Sequence, residues 1–566
     1  MKKLIYIFII SFSLFSCESF LDRPPLNQIT SASYWQTAQD LENYVIKYYA
    51  NFPGHGTWGG AYGYPAINAD NMIVGTPNNV LVGERGIATG RWVSDWGNIR
   101  SINIFFDNYQ KCKDNFELYQ HTLGEAHFFR AYFYFNLMRR FGDLPLYQSE
   151  LNMDSEELMR PRDQRTIIAD AILSDLDKAA EYLNGRSAVG NNRLNQESAL
   201  AFKSRVALFE GSWQKYHKGT AFATTGADPA KYFQISVDAA EKLIKGPYSK
   251  GLYNTGKGWE DYYKLFGFDD MSDINEVLLY RAYNIGDGVR NDAQYTTTGA
   301  TNQMGVTWEL TSSYLGKDGV PYDYLNVAKT VKGNDFLTKI ATDVDPRFHA
   351  SVWVPNDLRW ANPESRFEKP NIDGLDLSLN PTGFQLKKVS NPYAAGNLGG
   401  GSSETGYILF RYGEVLLNYA EALYELNNTI AYDALNELRS RVGMPPFKVV
   451  KQLTDRMDYG YEISDELYEI RRERRVELAL EGFRMDDIKR WAAHALIKGT
   501  RPKGYPFKKS EFPAYNPPLD ENGLIDYFKP RLPNGYGFRE NQDYLDPIPT
   551  DELTLNPNLT QNPGWQ

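Results

Sequence analysis

The sequence predicts a mostly α-helical scaffold that carries a long, loop-rich and aromatic-rich half. Three observations point to it. Apolar residues recur at helical spacing in segment after segment. Two of those segments are joined by a two-residue turn, Asn427-Asn428, as paired helices would be. Between them lie four stretches dense in Gly, Pro, Asn, Tyr and Trp, too irregular to continue the pattern.

The first helix follows the capping-box-like Thr37-Ala38-Gln39-Asp40, with Leu41, Val45, Tyr48 and Phe52 on one stripe. His121 to Phe141 is so rich in Phe and Tyr that most of its circumference must be covered, and it stops at Gly142-Asp143-Leu144-Pro145. Asp163 to Leu183 and Asn195 to Tyr216 repeat the periodicity. Asp228-Pro229 is a cap followed by proline at the first helical position. Gly406 to Leu426 predicts a further helix, which Asn427-Asn428 turns into another over Ala431 to Val442. This last hairpin, with its small alanines, looks like a tetratricopeptide unit. Ser464 to Trp491 is a long helical region broken near Gly482. Val277 to Tyr280 and Phe384 to Val389 are strand candidates within the loops.

Composition narrows the function. Hydrophobic residues are 42% and charged residues 23% of 566, which excludes a disordered, collagen-like or multi-span membrane chain. A formal charge of -10 argues against a nucleic-acid binder. Aromatic residues stand out at 14%, tyrosine foremost. At the N-terminus, Lys2-Lys3 precede an apolar run from Leu4 to Phe15, too short to span a bilayer. Leu14-Phe15-Ser16-Cys17 resembles a bacterial lipobox. Residues 1–16 are thus expected to be a signal peptide, Cys17 the lipidated residue, and 17–33 the anchor and tether of a body spanning 34–566. Within that body the helical scaffold falls mainly in 34–52, 92–246 and 406–496, and the loop-rich insertions in 53–91, 247–405 and 499–566. Cys112 is the only other cysteine, so no intramolecular disulfide is expected in the mature chain.

Catalytic and cofactor motifs are missing. The six histidines include no pair at metalloprotease spacing, cysteine zinc sites are excluded by count, and neither a nucleophile elbow nor a P-loop occurs. No cofactor or metal is expected, and the chain reads as a non-enzyme. A glycosidase carboxylate pair needs no local motif, so a surface glycoside hydrolase stays open. Arg471-Arg472-Glu473-Arg474-Arg475-Val476-Glu477 reads as a structural salt-bridge girdle. Its i, i+4 pairs are like-charged, so compensation must come from i, i+3 pairs or other helices.

Several motifs occur in order along the chain. They are Cys17 to Asp22 with Pro24, and Trp92 with Ile99-Arg100 and Asn103. Gly124 to Tyr134 runs into Phe141-Gly142-Asp143-Leu144-Pro145-Leu146. Arg471 to Trp491 follows, and last the tail Pro547 to Glu552 and Asn556 to Trp565. Together they resemble the SusD/RagB family of outer-membrane nutrient-binding lipoproteins of Bacteroidetes, from whose pattern Asp546 departs in place of the usual apolar residue. The resemblance implies four tetratricopeptide-like helix pairs against a loop-rich half. It also implies cell-surface binding of a nutrient, typically an oligosaccharide, and delivery to a SusC-like TonB-dependent β-barrel transporter. Attachment to the outer membrane would be through the lipid anchor only. A peptide-binding member of the same family is the alternative.

A sugar ring has an apolar face and a hydroxylated rim, so it asks for flat aromatic platforms beside hydrogen-bonding side chains. The family's site draws on the segment before Trp92 and on the central insertion. The glycan-binding candidates are therefore Trp58, Tyr62, Tyr64, Asp70 and Arg85 in the first, and Tyr283, Asn291, Tyr295 and Trp308 in the second. The two segments are expected to converge on one face. Trp92, Trp96 and Trp213 are assigned to core.

Overall fold

The computed structural model describes residues 34–57, 62–65, 69–87, 91–248, 251–394, 400–451 and 456–565. The signal, lipobox and tether expectations, Cys17 and Trp58 lie outside these.

The helices that build the scaffold begin with α1 (Ala38–Val45), which opens on the expected capping box between Thr37 and Asp40. α2 (Arg91–Asn108) and α3 (Phe116–Phe141) pack together, and α3 packs in turn on α4 (Arg165–Tyr182). α5 (Gln196–Tyr216) lies between α4 and α6 (Pro229–Lys245), which has its proline in the first turn. Phe128, Phe129, Phe133, Phe135 and Phe141 of α3 are all buried, so the density of rings along this helix is a density of core. The scaffold of paired helices predicted from periodicity is present.

The Gly406 to Leu426 expectation needs correction. Residues Tyr407–Arg411 form strand β4, and helix α8 (Tyr412–Asn427) begins only afterwards. β4 pairs antiparallel with β2 (Val277–Arg281), so tertiary pairing overrode a helical pattern of apolar residues. Asn428 then adopts φ +61° and turns the chain into α9 (Tyr432–Arg441). Of the two strand candidates, Val277 to Tyr280 became β2, whereas Phe384 to Val389 makes only isolated bridges through Phe384 and Leu386. The long C-terminal helical region divides into α10 (Asp465–Glu477) and α11 (Arg484–Arg490) around Gly482, at φ +91°.

The tail is clasped to the end of α3. Arg162 donates to the carbonyl oxygens of Phe141, Asp143 and Thr560 and to Asn562 Oδ1. Asn562 Nδ2 donates to the carbonyls of Phe141 and Asp546. Gly142 has φ +74°, and a Cβ there would stand 2.9 Å from Leu545. Asp546, the departure from an apolar residue, takes ion pairs from Arg85 and Arg140.

The charge cluster of α10 is buried, and its partners come from far along the chain. Glu477 accepts from Arg347 at 2.9 Å, Arg411 at 2.9 Å and Arg441 at 2.5 Å. Glu276, just before β2, accepts from Arg411 and Arg441. Adding Asp345, Glu473, Glu481, Arg439 and Lys388 gives five acids against five bases in one connected network. Arg347, Glu276 and Lys388 belong to the loop-rich half, so the network bolts that half to the strand Tyr407–Arg411, to α9 and to α10. Glu477 sits at a helix C-terminus, where the dipole opposes a carboxylate, and the three guanidiniums supply the compensation. Of the expected i, i+3 compensation, the cluster makes one pair, Arg472 with Glu469.

Candidate functional site

The two segments expected to converge do so through their backbones. β1 (Met72–Ile73) pairs antiparallel with β3 (Gly305–Val306). The Asp292 amide donates to Gly56 O at 2.9 Å, and Tyr283 Oη donates to His55 O at 2.8 Å.

The side chains selected in those segments are mostly turned inward, and this corrects the expectation for them. Tyr62 Oη donates to Leu480 O, and Tyr64 stacks on Tyr407 with centroids 4.3 Å apart while its hydroxyl accepts from the Ile408 amide. Tyr283 is equally buried. Asp70 accepts from Arg475 and Arg484. Burial alone would raise its pKa, but the two guanidiniums outweigh it and hold the carboxyl at about 2. Arg85 is spent on Asp543 and Asp546. Asn291 is fully buried and donates to Thr405 O. Trp308 packs against Phe336, with centroids 5.7 Å apart, and is 8% exposed. Among the described candidates Tyr295 and Arg85 are half-buried, and Arg85 is held by the ion pairs just named. Glycine lets a ring tuck under the backbone here: a Cβ on Gly54 would meet Tyr283 Oη at 2.4 Å.

The aromatic surface with a polar rim lies further on in the loop-rich half. A groove of about 600 Å³ is lined by Tyr253, Trp259, Tyr263, Phe268, Asp357, Lys387, Ser390, Asn391 and Tyr393. The short helix α7 (Trp259–Leu265) starts after Gly258, at φ +64°, and sets Trp259 and Tyr263 one turn apart on the same face. Tyr393 is 76% exposed, and its backbone amide is held by Asn391 Oδ1 at 3.0 Å. The rim is rigid. Trp259 stacks on His349 at 4.2 Å, His349 shares a 2.8 Å hydrogen bond with Asp357, and Lys387 donates to Asp357 at 2.7 Å. Tyr263 Oη and Ser390 Oγ are hydrogen-bonded at 2.9 Å.

Burial works against the Asp357 carboxylate, yet the His349 hydrogen bond and the Lys387 charge outweigh it and keep its pKa below the ordinary range. Burial likewise lowers the Lys387 pKa, with Asp357 offsetting part of the effect. The sequence held one signal for this groove that went unused: Trp259 and Tyr263 at i, i+4, directly after Gly256 and Gly258. Lys387 and Asp357 carried none, since only folding brings them to Trp259.

A helical scaffold holding a rigid, ring-lined groove in its loop half is the architecture of a binding protein. The chain belongs to the SusD family, whose sequence profile matches residues 274–565. A second profile, described as starch-binding associating with outer membrane, matches residues 66–208. SusD-like protein P2 of Formosa agariphila is 26% identical, the match covering 100% of each chain. SusD-like protein P38 of the same organism is 24% identical over 84% of this chain and 88% of its own. Among solved structures, a SusD-like protein of Bacteroides fragilis superposes with a TM-score of 0.72 at 22% identity, covering 96% of this chain and 100% of that one. A SusD-like carbohydrate binding protein of the same species gives 0.71 at 21% identity, covering 93% and 100%. These two likenesses establish the fold. Among the described residues no helix is long and apolar enough to cross a membrane, and no group of three metal-ligating side chains occurs.

Proposed function

We propose that this protein is a cell-surface glycan-binding lipoprotein that passes its ligand to a SusC-like TonB-dependent β-barrel transporter in the outer membrane. The observation that carries the reading is the groove, where Trp259, Tyr263, Tyr253 and Tyr393 stand beside Lys387, Asp357, Ser390 and Asn391. Rings stack on the apolar faces of sugars while amine, carboxylate, hydroxyl and amide bond the rim. The carbohydrate-binding description of the B. fragilis protein supports the same ligand class. Two of the sequence candidates stay within this proposal. Tyr295 adjoins Gln294, whose Oε1 accepts from the Asn391 amide at the groove edge. Trp58 follows two residues after Gly56, which is tied to Asp292.

A glycan array on the mature protein selects the ligand, and titration calorimetry then compares variants. Tyr393→Ala and Trp259→Ala are each expected to weaken binding by about 1–2 kcal/mol. Tyr393→Ala should leave the melting temperature unchanged, because that ring is exposed. Unaltered affinity in both variants places the site elsewhere, and release of new reducing ends replaces binding with hydrolysis.

Anchoring is proposed through acyl chains on Cys17, since each buried CH₂ adds about 0.8 kcal/mol. Cys17→Ala, with the leader intact, is expected to yield a folded protein that no longer sediments with membranes. Full membrane retention of that variant would contradict the lipid anchor.

A further inference from the structure

A second groove, of about 540 Å³, lies where α2 meets the 145–159 loop and the tail. Its walls are mainly apolar, Trp96, Leu158, Met159 and Leu555 among them, with Arg100, Asn103, Ser149, Glu552 and Asn556 as the polar members. Its surroundings are apolar as well: Met153 in the same loop is 96% exposed, and Leu555, in helix α12 (Thr550–Leu555), is 71% exposed. Trp96, which the sequence assigned to core, is half-buried here. Exposed apolar side chains gathered around a cleft mark a surface that another molecule covers.

Two further features say what kind of molecule. The first is unmet hydrogen bonding. Asn103 is fully buried, and its Nδ2 donates to the carbonyls of Tyr147 and Ser149, which fixes the direction of its amide. Asn103 Oδ1 and Trp96 Nε1, both on groove-lining residues, have no hydrogen-bond partner among the described residues. Buried polar atoms are nearly always satisfied, so one orphan acceptor and one orphan donor in an apolar groove point to a missing partner. An acyl chain supplies neither complement. An extended peptide residue supplies both, an N–H and a C=O.

The second feature is charge. The segments that form the groove carry Glu150, Asp154, Glu156, Glu157, Asp551 and Glu552. Against them stand Arg91 at the start of α2, Arg100, which is paired with Glu150, and Arg160, which is paired with Asp163. Glu552 lines the groove, and its pKa is raised by burial and then by Asp551. A basic partner would relieve that acidity, while an anionic lipid surface would be repelled.

We infer that the groove formed by Trp96, Asn103, Met159 and Leu555 docks an extended segment of a partner protein, in which apolar side chains are flanked by lysine or arginine. This surface is built from other elements than the ring-lined groove and does not depend on the ligand assigned there.

The test uses the mature chain and two fluorescein-labelled short peptides. Each has leucine and phenylalanine at its centre, flanked by lysines in one and by glutamates in the other. Fluorescence polarisation should show saturable binding of the lysine peptide only. Asp551→Lys combined with Glu552→Lys is expected to weaken it about tenfold and to admit the glutamate peptide. Leu555→Glu should also reduce binding, and circular dichroism checks that both variants are folded. The inference is overturned if the lysine peptide does not bind, if both peptides bind alike, or if the charge reversal changes nothing. Adsorption of the unlipidated Cys17→Ala chain to phosphatidylglycerol vesicles, lost in Leu555→Glu, would reassign the groove to a lipid surface.

Discussion

Glu477→Ala is expected to destabilise the protein by about 3–5 kcal/mol, because it strands buried guanidiniums that have been stripped of water. Arg347, Arg411 and Arg441 all converge on this carboxylate, and each is nearly inaccessible to solvent. Arg347 keeps Asp345 and Glu473, and Arg411 and Arg441 keep Glu276, but the neutral balance of the network is lost. Urea unfolding followed by circular dichroism measures the loss, and a change below about 1 kcal/mol would show that the remaining acids suffice. Acid should act on the same kind of contact. Asp70 is lowered from 3.8 to about 2, and Glu421, beside Arg490, Arg471 and Arg474, from 4.5 to about 2, in both cases against the opposing effect of burial. Burial again opposes the shift at Glu477, whose pKa falls further still under Arg441, Arg411 and Arg347. A folded-state pKa below the unfolded value means stability that is complete above the unfolded value and lost as pH falls toward the folded one. Urea midpoints should therefore drop from about pH 5 downward. The drop should be shallower in Glu477→Ala, which has one such carboxylate fewer.

Trp213→Ala is expected to cost about 3–5 kcal/mol of stability while leaving glycan affinity intact. The side chain is fully buried on α5, its Nε1 donates to Phe222 O at 2.9 Å, and its ring stacks on His217 at 4.2 Å. The Arg165 guanidinium lies 4.1 Å from the ring centroid, so truncation removes packing and a cation–π contact together. Differential scanning calorimetry checks the first part, and titration of the selected glycan the second. Trp213→Phe should recover a good share of the loss, since it refills much of the cavity. A wild-type melting temperature in Trp213→Ala would refute the core assignment.

The contrast between Trp213 and Trp308 shows where sequence reading succeeds. Both are tryptophans in a tyrosine-rich chain, but Trp213 repeats at helical spacing with Phe202, Val206 and Phe209, and that period fixed its direction. Trp308 opens a single helical turn, Trp308–Thr311, with no longer period in the sequence to orient it. Composition suggested display, whereas the fold laid it against Phe336 and Tyr324. Asp70 was mistaken in the same way. A loop aspartate reads as solvent-facing until Arg475 and Arg484, some four hundred residues later, are folded against it.

The sequence by itself determined the main scaffold helices, the caps at Thr37 and Asp228, the break at Gly482, the structural role of the arginine cluster and, through motifs in order, the family. Those are local or periodic signals, set by backbone hydrogen bonding and by one face needing cover. The tertiary structure alone decided that Tyr407–Arg411 is a strand and that the Gly-rich loop hides its tyrosines. It also brought Lys387 and Asp357 to Trp259 and left the Trp96 groove open. Each of these depends on contacts between segments far apart in the chain, where packing and desolvation outweigh the local preference of any one residue.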